Sequence, residues 1–360
     1  MGLENQRLVV NAVFKRSDLN DPIAEAIEAI GQQALDEMPA SLRQLAADYI
    51  PLKAVDCVGL PALRGLLAPE LARPASTATH EPSRLEHPKL SELVAELAND
   101  ERGLIMVMGK GGVGKTTIAA AIALGLVQHG KSVHLSTTDP AAHLAVTLNA
   151  DVQGLSVGRI DPKVETQKYV DKIVASRSST LTEDEIALLI EDLRSPCTEE
   201  VAVFHAFSRV VSQARTSFVV LDTAPTGHSL LLMDATGAYH RQMVREFKGK
   251  TSDHIVTPLM RLQDADYTKI ILVTLPEVTP VSQAAGLQDD LRRANIEPFA
   301  WVVNKSLLAT DTDDPLLRAR LDSERKQMTR VAEKTNHAVI VVPWAAEPPV
   351  GVAALKRLLD

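Results

Sequence analysis

Residues 109–117 read GKGGVGKTT, a glycine-rich loop that combines the spacing G-x-x-x-x-G-K-[ST] with a second lysine. The apolar run LIMVM precedes the loop, and a segment rich in Ala, Ile and Leu follows it. A strand, such a loop and a helix in this order are typical of sites where backbone N–H groups surround phosphate oxygens. The pattern assigns phosphate binding to Gly109, Gly111, Gly112, Val113, Gly114, Lys115, Thr116 and Thr117. We expect Lys115 to reach the β- and γ-phosphates and the Thr116 hydroxyl to ligate Mg²⁺.

Two carboxylates follow apolar strands where a nucleotide site would need them. The run FVVLD ends in Asp222, which predicts a residue that holds Mg²⁺ through water. Asp139, in STTDPAAHL, follows the second predicted strand, at the carboxyl edge of the sheet that faces a nucleotide. A carboxylate there can orient the attacking water or contribute to the Mg²⁺ site, although Asp139 before Pro140 also fits the N-cap of a helix.

The second lysine of the loop, Lys110, lies only five residues before Lys115. That is too close, in a tight loop, for a second copy of the same function. We expect Lys110 to point away from the phosphates that Lys115 holds and to reach those bound by a facing copy. There it would stabilise transition-state charge as an arginine finger does. This interpretation predicts an ATP site formed at an interface.

From residue 103 onwards, short apolar runs alternate with helical segments, which predicts a doubly wound α/β fold with a mostly parallel sheet, a P-loop NTPase fold. The predicted strands are Leu104–Met108, Val133–Ser136, Phe218–Leu221, Ile270–Thr274, Ala300–Asn304 and Ala338–Val342. The predicted helices are Thr116–Gln128, Thr182–Leu193, Glu199–Gln213, Leu230–Phe247, Pro280–Ala294, Pro315–Lys334 and Val352–Leu359.

The N-terminal residues repeat the end of the chain. LVVNAVFKRSDLNDPIAEA (8–26) aligns with WVVNKSLLATDTDDPLLRA (301–319) at an offset of 293, and VGLPALRGLL (58–67) with VGVAALKRLL (350–359) at 292. The N-terminal copy lacks a P-loop and has too few strands to enclose a core. We therefore interpret residues 1–72 as the remnant of a first ATPase half, 73–100 as a linker and 101–360 as a complete P-loop domain. A self-sufficient small N-terminal domain is the alternative.

The composition narrows the functional classes. A net charge of −8 with scattered basic residues argues against nucleic acid as a partner. The apolar runs are shorter than a membrane-spanning helix needs. Two cysteines, Cys57 and Cys197, cannot form a disulfide framework, which favours a cytoplasmic protein.

The loop GKGGVGKTT resembles that of the signature-lysine P-loop ATPases. Two further stretches, LRSPCTEEVAVF (193–204) and DTAPTGHSLLLMDATGAYHR (222–241), resemble the arsenical pump-driving ATPases within that group. Members of that family have two homologous halves joined by a linker. The resemblance covers essentially the whole chain and implies that it corresponds to the C-terminal portion of such a protein.

The resemblance implies ATP hydrolysis, with Mg²⁺, coupled to extrusion of arsenite or antimonite by a membrane pump. It implies an allosteric metalloid activator, an arsenic metallochaperone as a partner, and a position at the inner membrane through the pump. The implied roles are signature lysine for Lys110, switch carboxylates for Asp139 and Asp222, metalloid site for Cys197 and His228, and adenine contact for Asn304, with Asn11 as the counterpart in the missing half.

A single thiolate is a poor site for a soft metalloid, which prefers two or three. Cys57 is expected to be a small core residue, so the second ligand of Cys197 should come from the absent first half. Cys197 also fits a helix-start residue after Pro196. The chain alone is expected to bind nucleotide without stimulated hydrolysis. It would form a homodimer, be a fragment of a longer reading frame, or pair with a separately made first half.

Two other functions share this ATPase core. A targeting factor for tail-anchored membrane proteins would need a CxxC zinc pair and a Met-rich groove, and the sequence has no CxxC. An iron–sulfur reductase would need two cluster cysteines near the switches, where only Cys197 is close. The sequence therefore favours the metalloid-efflux ATPase, with the targeting factor as the alternative.

Overall fold

The computed structural model describes residues 5–66, 87–139, 144–148, 150–178, 180–224, 256–335 and 339–360. Its contacts divide the chain into two compact units. We call residues 1–88, 275–282 and 303–348 the first unit, and residues 89–274, 283–302 and 349–360 the second unit. None of the described helices is long and apolar enough to cross a membrane.

The strands of a seven-stranded sheet are, in chain order, β3 (Gly103–Met108), β4 (Val133–Thr137), β5 (Leu155–Arg159), β6 (Phe218–Asp222), β7 (Thr268–Thr274), β8 (Ala300–Ser306) and β9 (Val339–Pro343). In the sheet they lie side by side in the order β5–β4–β6–β3–β7–β8–β9. The pairs β3–β6, β3–β7, β4–β5 and β4–β6 are all parallel. Every residue of β3 and β6 is buried, because helices cover both faces of such a sheet. The predicted α/β fold is confirmed.

The second unit also contains helices. They are α4 (Leu90–Leu97), α5 (Lys115–Gln128), α6 (Leu144–Leu148), α7 (Pro162–Arg177), α8 (Glu183–Asp192), α9 (Pro196–Gln213), α10 (Pro258–Gln263) and α13 (Val352–Arg357). A further helix, α11 (Val278–Arg293), is divided between the two units. The predicted helix Leu230–Phe247 lies outside the described residues.

Five elements of the second unit, the strand β5 and the helices α4, α6, α7 and α10, were not predicted from the sequence, and two of them show why. The strand β5 reads LSVGR and is half-exposed along its length, so it lacks the apolar run of a central strand. Helix α7 reads PKVETQKYVDKIVASR, in which apolar residues are too few to show a helical stripe. Asp161 caps its start by accepting hydrogen bonds from the backbone N–H groups of Lys163 and Val164. This capping aspartate before a proline was the signal that could have shown the helix.

The first unit contains a small parallel pair of strands, β1 (Arg7–Val13) and β2 (Ala46–Pro51). Its helices are α1 (Pro22–Asp36), α2 (Ala40–Arg43), α3 (Leu60–Arg64) and α12 (Pro315–Lys334). The order strand, helix, strand, short helix occurs in both copies of the repeat, as the sequence predicted.

The two copies share unusual backbone conformations at equivalent positions. Ala12 and Lys305, each following the asparagine of its strand, have φ of 59° and 57°. Gly59 and Gly351, which precede α3 and α13, have φ of 87° and 85°. A non-glycine residue adopts positive φ at a cost, so its recurrence at one offset shows that the copies share a backbone path and not only a sequence pattern.

Candidate active site

The phosphate loop lies between β3 and α5 in the second unit. Gly109, its first residue, has φ of 153°, and a Cβ atom there would lie 2.3 Å from the carbonyl oxygen of Val273. Gly114 adopts the left-handed conformation (φ 93°) as the residue before α5. Both positions therefore require glycine, one because a neighbouring strand passes too closely and the other because of backbone conformation.

Lys115 begins α5 and its side chain is buried. Its Nζ donates a hydrogen bond to the carbonyl oxygen of Lys110 at 3.1 Å, which folds the side chain back over the loop. Desolvation lowers the pKa of Lys115, while the charges of Asp222 and Asp139 raise it. Lys115 is thus a partly desolvated cation, and a desolvated cation attracts a phosphate group more strongly than an exposed one.

Asp222 ends β6 and is completely buried. Its Oδ2 accepts hydrogen bonds from the hydroxyl groups of Thr116 at 2.8 Å and Thr137 at 3.1 Å. Its Oδ1 has no hydrogen-bond partner among the residues that the structure describes. Burial raises the pKa of the Asp222 carboxyl, and the two hydroxyl donors and Lys115 oppose that shift. A buried carboxylate oxygen without a donor is uncommon and indicates a site for a cation or its water.

These residues fit a bound Mg²⁺. Hard oxygen donors suit this ion, which keeps several of its waters in nucleotide sites. The Thr116 oxygen could bind the ion through a lone pair while its hydroxyl group still donates a hydrogen bond to Asp222 Oδ2. Asp222 Oδ1 could then accept a hydrogen bond from a water that the ion holds.

Thr137 and Thr138 are functional candidates that the sequence reasoning missed. The Thr137 hydroxyl, which donates to Asp222, also accepts a hydrogen bond from the Asp139 backbone N–H at 3.0 Å. The Thr138 hydroxyl accepts from the Ala224 N–H at 2.9 Å, and the Thr138 N–H donates to the Asp222 carbonyl oxygen at 3.0 Å. These bonds join the ends of β4 and β6. The two adjacent threonines in the segment STTD were the feature of the sequence that could have indicated these site residues.

Asp139 is half-buried and lies two residues beyond the end of β4. Its charge acts on both Lys115 and Asp222, so the structure brings these three predicted residues into one electrostatic cluster. Residues 140–143 lie outside the described part of the chain, and the choice between water-orienting carboxylate and helix cap stays open.

Lys110 is half-exposed, and its ammonium group makes no hydrogen bond or ion pair with any residue that the structure describes. Thr117 is half-buried on the first turn of α5. Asn304 belongs to the first unit, is buried, and accepts a hydrogen bond from the Lys305 N–H through its Oδ1 at 2.9 Å. The predicted roles of these three residues stay predictions.

Cys197 is exposed at the second position of α9, whose N-cap is Ser195. This placement agrees with the helix-start interpretation and leaves the thiol accessible to a metalloid. His228 lies outside the described residues. Among the residues described, no group of three His, Cys, Asp or Glu side chains could hold a metal ion. Cys57 is half-buried in the first unit rather than in a core.

Comparison with known proteins identifies relatives over the whole chain. An "Arsenical pump-driving ATPase" of Escherichia coli is 49% identical over 359 residues, which cover 99% of this chain and 61% of the relative. A protein of the same name from Acidiphilium multivorum is 48% identical and covers 100% of this chain and 62% of the relative. The chain thus spans about three fifths of the length of these curated relatives. Which part it spans is not defined by these figures, so its correspondence to a C-terminal portion stays a prediction.

A relative with a different name is more distant. "ATPase GET3C" of Arabidopsis thaliana is 25% identical over 72% of this chain. The sequence model of the family described as "Anion-transporting ATPase" matches residues 102–262 and 249–360, which include the phosphate loop, Asp222 and the end of the chain. The resemblance inferred from the loop is confirmed, and the chain belongs to the anion-transporting ATPase family.

Proposed function

We propose that the chain binds and hydrolyses ATP with Mg²⁺, as the energy-coupling part of an arsenite or antimonite efflux system. The observation that carries the proposal is the convergence of Thr116 and Asp222 at a 2.8 Å hydrogen bond beside the buried Lys115. The start of helix α5 and the end of strand β6, more than a hundred positions apart in the sequence, thereby form one site for a phosphate chain and a divalent cation.

Each residue has a distinct task in this proposal. The N–H groups of the loop and the start of α5 bind phosphate oxygens, and Lys115 neutralises the β- and γ-phosphates. Thr116 and Asp222 hold the metal ion, and bound Mg²⁺ supplies neutralisation of the charge on the phosphates. Asp139 orients the attacking water. Lys110 reaches the phosphates of a facing site, supplied by a missing first half or by a second copy of the chain.

The metalloid part of the proposal is supported by the names of the relatives and by the chemistry of Cys197. A thiolate is a ligand that arsenite and antimonite prefer, and Cys197 is exposed. We infer that Cys197 and His228 contribute to an activating metalloid site whose other thiolates come from the first half. The membrane efflux pump and a metallochaperone are the proposed partners, in the cytoplasm at the inner membrane. Residues 1–72, 73–100 and 101–360 are proposed as remnant, linker and ATPase domain.

Binding of a fluorescent ATP analogue, with and without Mg²⁺, tests the first part. We expect the wild type to bind more tightly with Mg²⁺ and Lys115→Ala to lose most of the affinity. Lys131→Ala is the matched control, because its ammonium group contacts the Asp100 carbonyl oxygen away from the loop. Wild-type protein that binds no nucleotide would refute the proposal.

Hydrolysis with and without antimonite tests the second part, after addition of the first half of a relative. We expect stimulation that Cys197→Ala abolishes and Cys57→Ala retains. Stimulation that survives Cys197→Ala would remove this residue from the metalloid site. Nucleotide binding without any metalloid response, even with the first half present, would favour the targeting factor instead.

A further inference from the structure

Helices α7 and α9 of the second unit pack side by side and run in opposite directions. Glu165 near the start of α7 contacts Arg209 near the end of α9, and the ring of Tyr169 stacks on that of His205 with centroids 5.6 Å apart. A cavity of about 590 Å³ lies along this pair of helices, and small-molecule sites have volumes of this size. We call it the α7–α9 cleft, whose charged and aromatic lining residues are Glu165, Lys168, Tyr169, Lys172, His205 and Arg209.

A buried carboxylate holds two cations in this cleft. Glu165 is 8% exposed, and its two oxygens accept hydrogen bonds from Lys168 Nζ at 2.8 Å and from Arg209 Nη2. Burial raises the pKa of Glu165, but the hydrogen bonds and charges of Lys168 and Arg209 lower it below its ordinary value, so the carboxyl is ionised at neutral pH. Glu165 therefore fixes the positions of two long cationic side chains whose conformational freedom would otherwise be large.

The cleft contains more positive than negative charge. Lys172 lies one helical turn beyond Lys168 and lines the cleft, and its ammonium group forms no hydrogen bond or ion pair within the described part of the chain. Desolvation and the charges of Lys172 and Arg209 lower the pKa of His205, so its imidazole is neutral at pH 7. Three cations thus face one carboxylate, in a chain whose net charge is −8. An anionic ligand would balance the excess.

The spacing of the charges favours a small molecule over an acidic peptide. Two of the cations meet at the Glu165 carboxylate, and Lys172 follows on the next turn of α7, about 6 Å further on. Charges grouped so closely match one molecule with two or three anionic groups, whereas a peptide would need a row of cations along the helices. The stacked rings, together with Ile173 and Ala202, form an apolar wall that a carbon skeleton can contact.

We propose that the α7–α9 cleft binds a small organic anion that carries two or three carboxylate or phosphate groups. Lys172 and the remaining N–H groups of Arg209 bind the anionic groups, which are charge-assisted hydrogen-bond acceptors. Glu165 is a positioning residue, because it holds Arg209 and Lys168 in place. The site uses none of the residues assigned to the nucleotide, so it does not depend on the proposed function.

Titration of the protein with citrate and with bisphosphoglycerate at low ionic strength tests the proposal, by calorimetry and by the NMR signals of His205. Citrate supplies carboxylates and bisphosphoglycerate supplies mainly phosphates, so the two probes distinguish the two kinds of anionic group. We expect at least one of them to bind and to raise the pKa of His205, because a bound anion opposes the cationic charges that lower it. The ionisable groups that face His205 in the cleft are Glu165, Lys168, Tyr169, Lys172 and Arg209.

Two lysines of the same helix provide the variant and its matched control. Lys172→Gln should weaken binding of the probe about tenfold, because it removes a charge-assisted hydrogen bond and leaves the bonds of Glu165 intact. Lys163→Gln makes the same charge change on α7 at an exposed residue that does not line the cleft, and should change the affinity less than about twofold. Lys115→Ala should bind the probe like the wild type.

Four results would overturn the proposal. The first is wild-type protein that binds neither probe. The second is binding that Lys115→Ala abolishes and Lys172→Gln retains, which would assign the anion to the phosphate loop. The third is equal weakening in Lys172→Gln and Lys163→Gln, or binding that leaves the pKa of His205 unchanged, because either would show attraction to the surface charge alone. The fourth is a hexaglutamate peptide that binds at Lys172 when neither small anion does, which would make the cleft a docking site for an acidic segment of a protein.

Discussion

Replacement of Thr137 by valine tests whether the bridge between the two strand ends matters for the metal site. Valine keeps the shape of the side chain and replaces the hydroxyl with a methyl group. In the structure this hydroxyl is buried, donates to Asp222 Oδ2 at 3.1 Å and accepts from the Asp139 N–H at 3.0 Å. The substitution therefore removes two hydrogen bonds and leaves the overall volume of the core unchanged.

The magnitude follows from the partners of the hydroxyl. A hydrogen bond to a buried carboxylate contributes about 2 kcal/mol, and the loss of an acceptor for a partly buried N–H costs about 1 kcal/mol more. We expect a free energy of unfolding lower by about 3 kcal/mol and a melting temperature lower by about 6–10 °C. Thr116 would remain as a single donor to Asp222, so the carboxylate would be less firmly oriented. We expect the Mg²⁺ concentration needed for half-maximal ATP binding to rise about tenfold, which corresponds to about 1.4 kcal/mol.

The assay is a Mg²⁺ titration of ATP-analogue fluorescence together with thermal unfolding of the metal-free protein. Thr137→Ser keeps the hydroxyl and should restore the Mg²⁺ requirement to within about twofold of the wild type. A valine variant that is destabilised but needs no more Mg²⁺ than the wild type would show that Thr137 is structural only. A valine variant with wild-type stability would refute the energetic reasoning itself.

Three further substitutions address packing and charge. Gly109→Ala should prevent nucleotide binding and lower the melting temperature, because its Cβ would lie 2.3 Å from the Val273 carbonyl oxygen, and fluorescence titration and calorimetry check this. The lowered pKa of Asp21, from 3.8 to about 2, adds about 2 kcal/mol of stability above pH 4 that is lost as the pH falls towards 2. Denaturant unfolding at several pH values should show this loss in the wild type and a smaller one in Asp21→Asn. Trp301→Phe removes the 2.7 Å bond from Nε1 to Gln288 and should cost about 1–3 kcal/mol in chemical denaturation, with the nucleotide affinity unchanged.

The sequence predicts those strands that are continuous runs of apolar residues. The strands β3 and β6 are continuous apolar runs that end at a glycine loop and at Asp222, so both the strand and the adjacent site residue could be identified. The edge strand β5 could not, because an edge strand with half-exposed residues has no apolar run. The polar helix α7 was not predicted either, because it has too few hydrophobic residues to show a helical period.

Residue types alone do not predict which hydrogen bonds an individual polar atom forms. Thr137 could be only the last residue of a strand, or it could also form a hydrogen bond with Asp222. The register of β4 against β6, which pairs Thr137 with Asp222, decides between these two possibilities. The repeat is a sharper case. The sequence aligned Asp21 with Asp314 and so predicted two equivalent helix starts, which the structure contains. It could not show that each carboxylate also accepts hydrogen bonds from the other copy, because that depends on how the copies meet. A capping aspartate needs only one oxygen for its own helix, so the second oxygen is available for such an exchange wherever two equivalent helix starts come together.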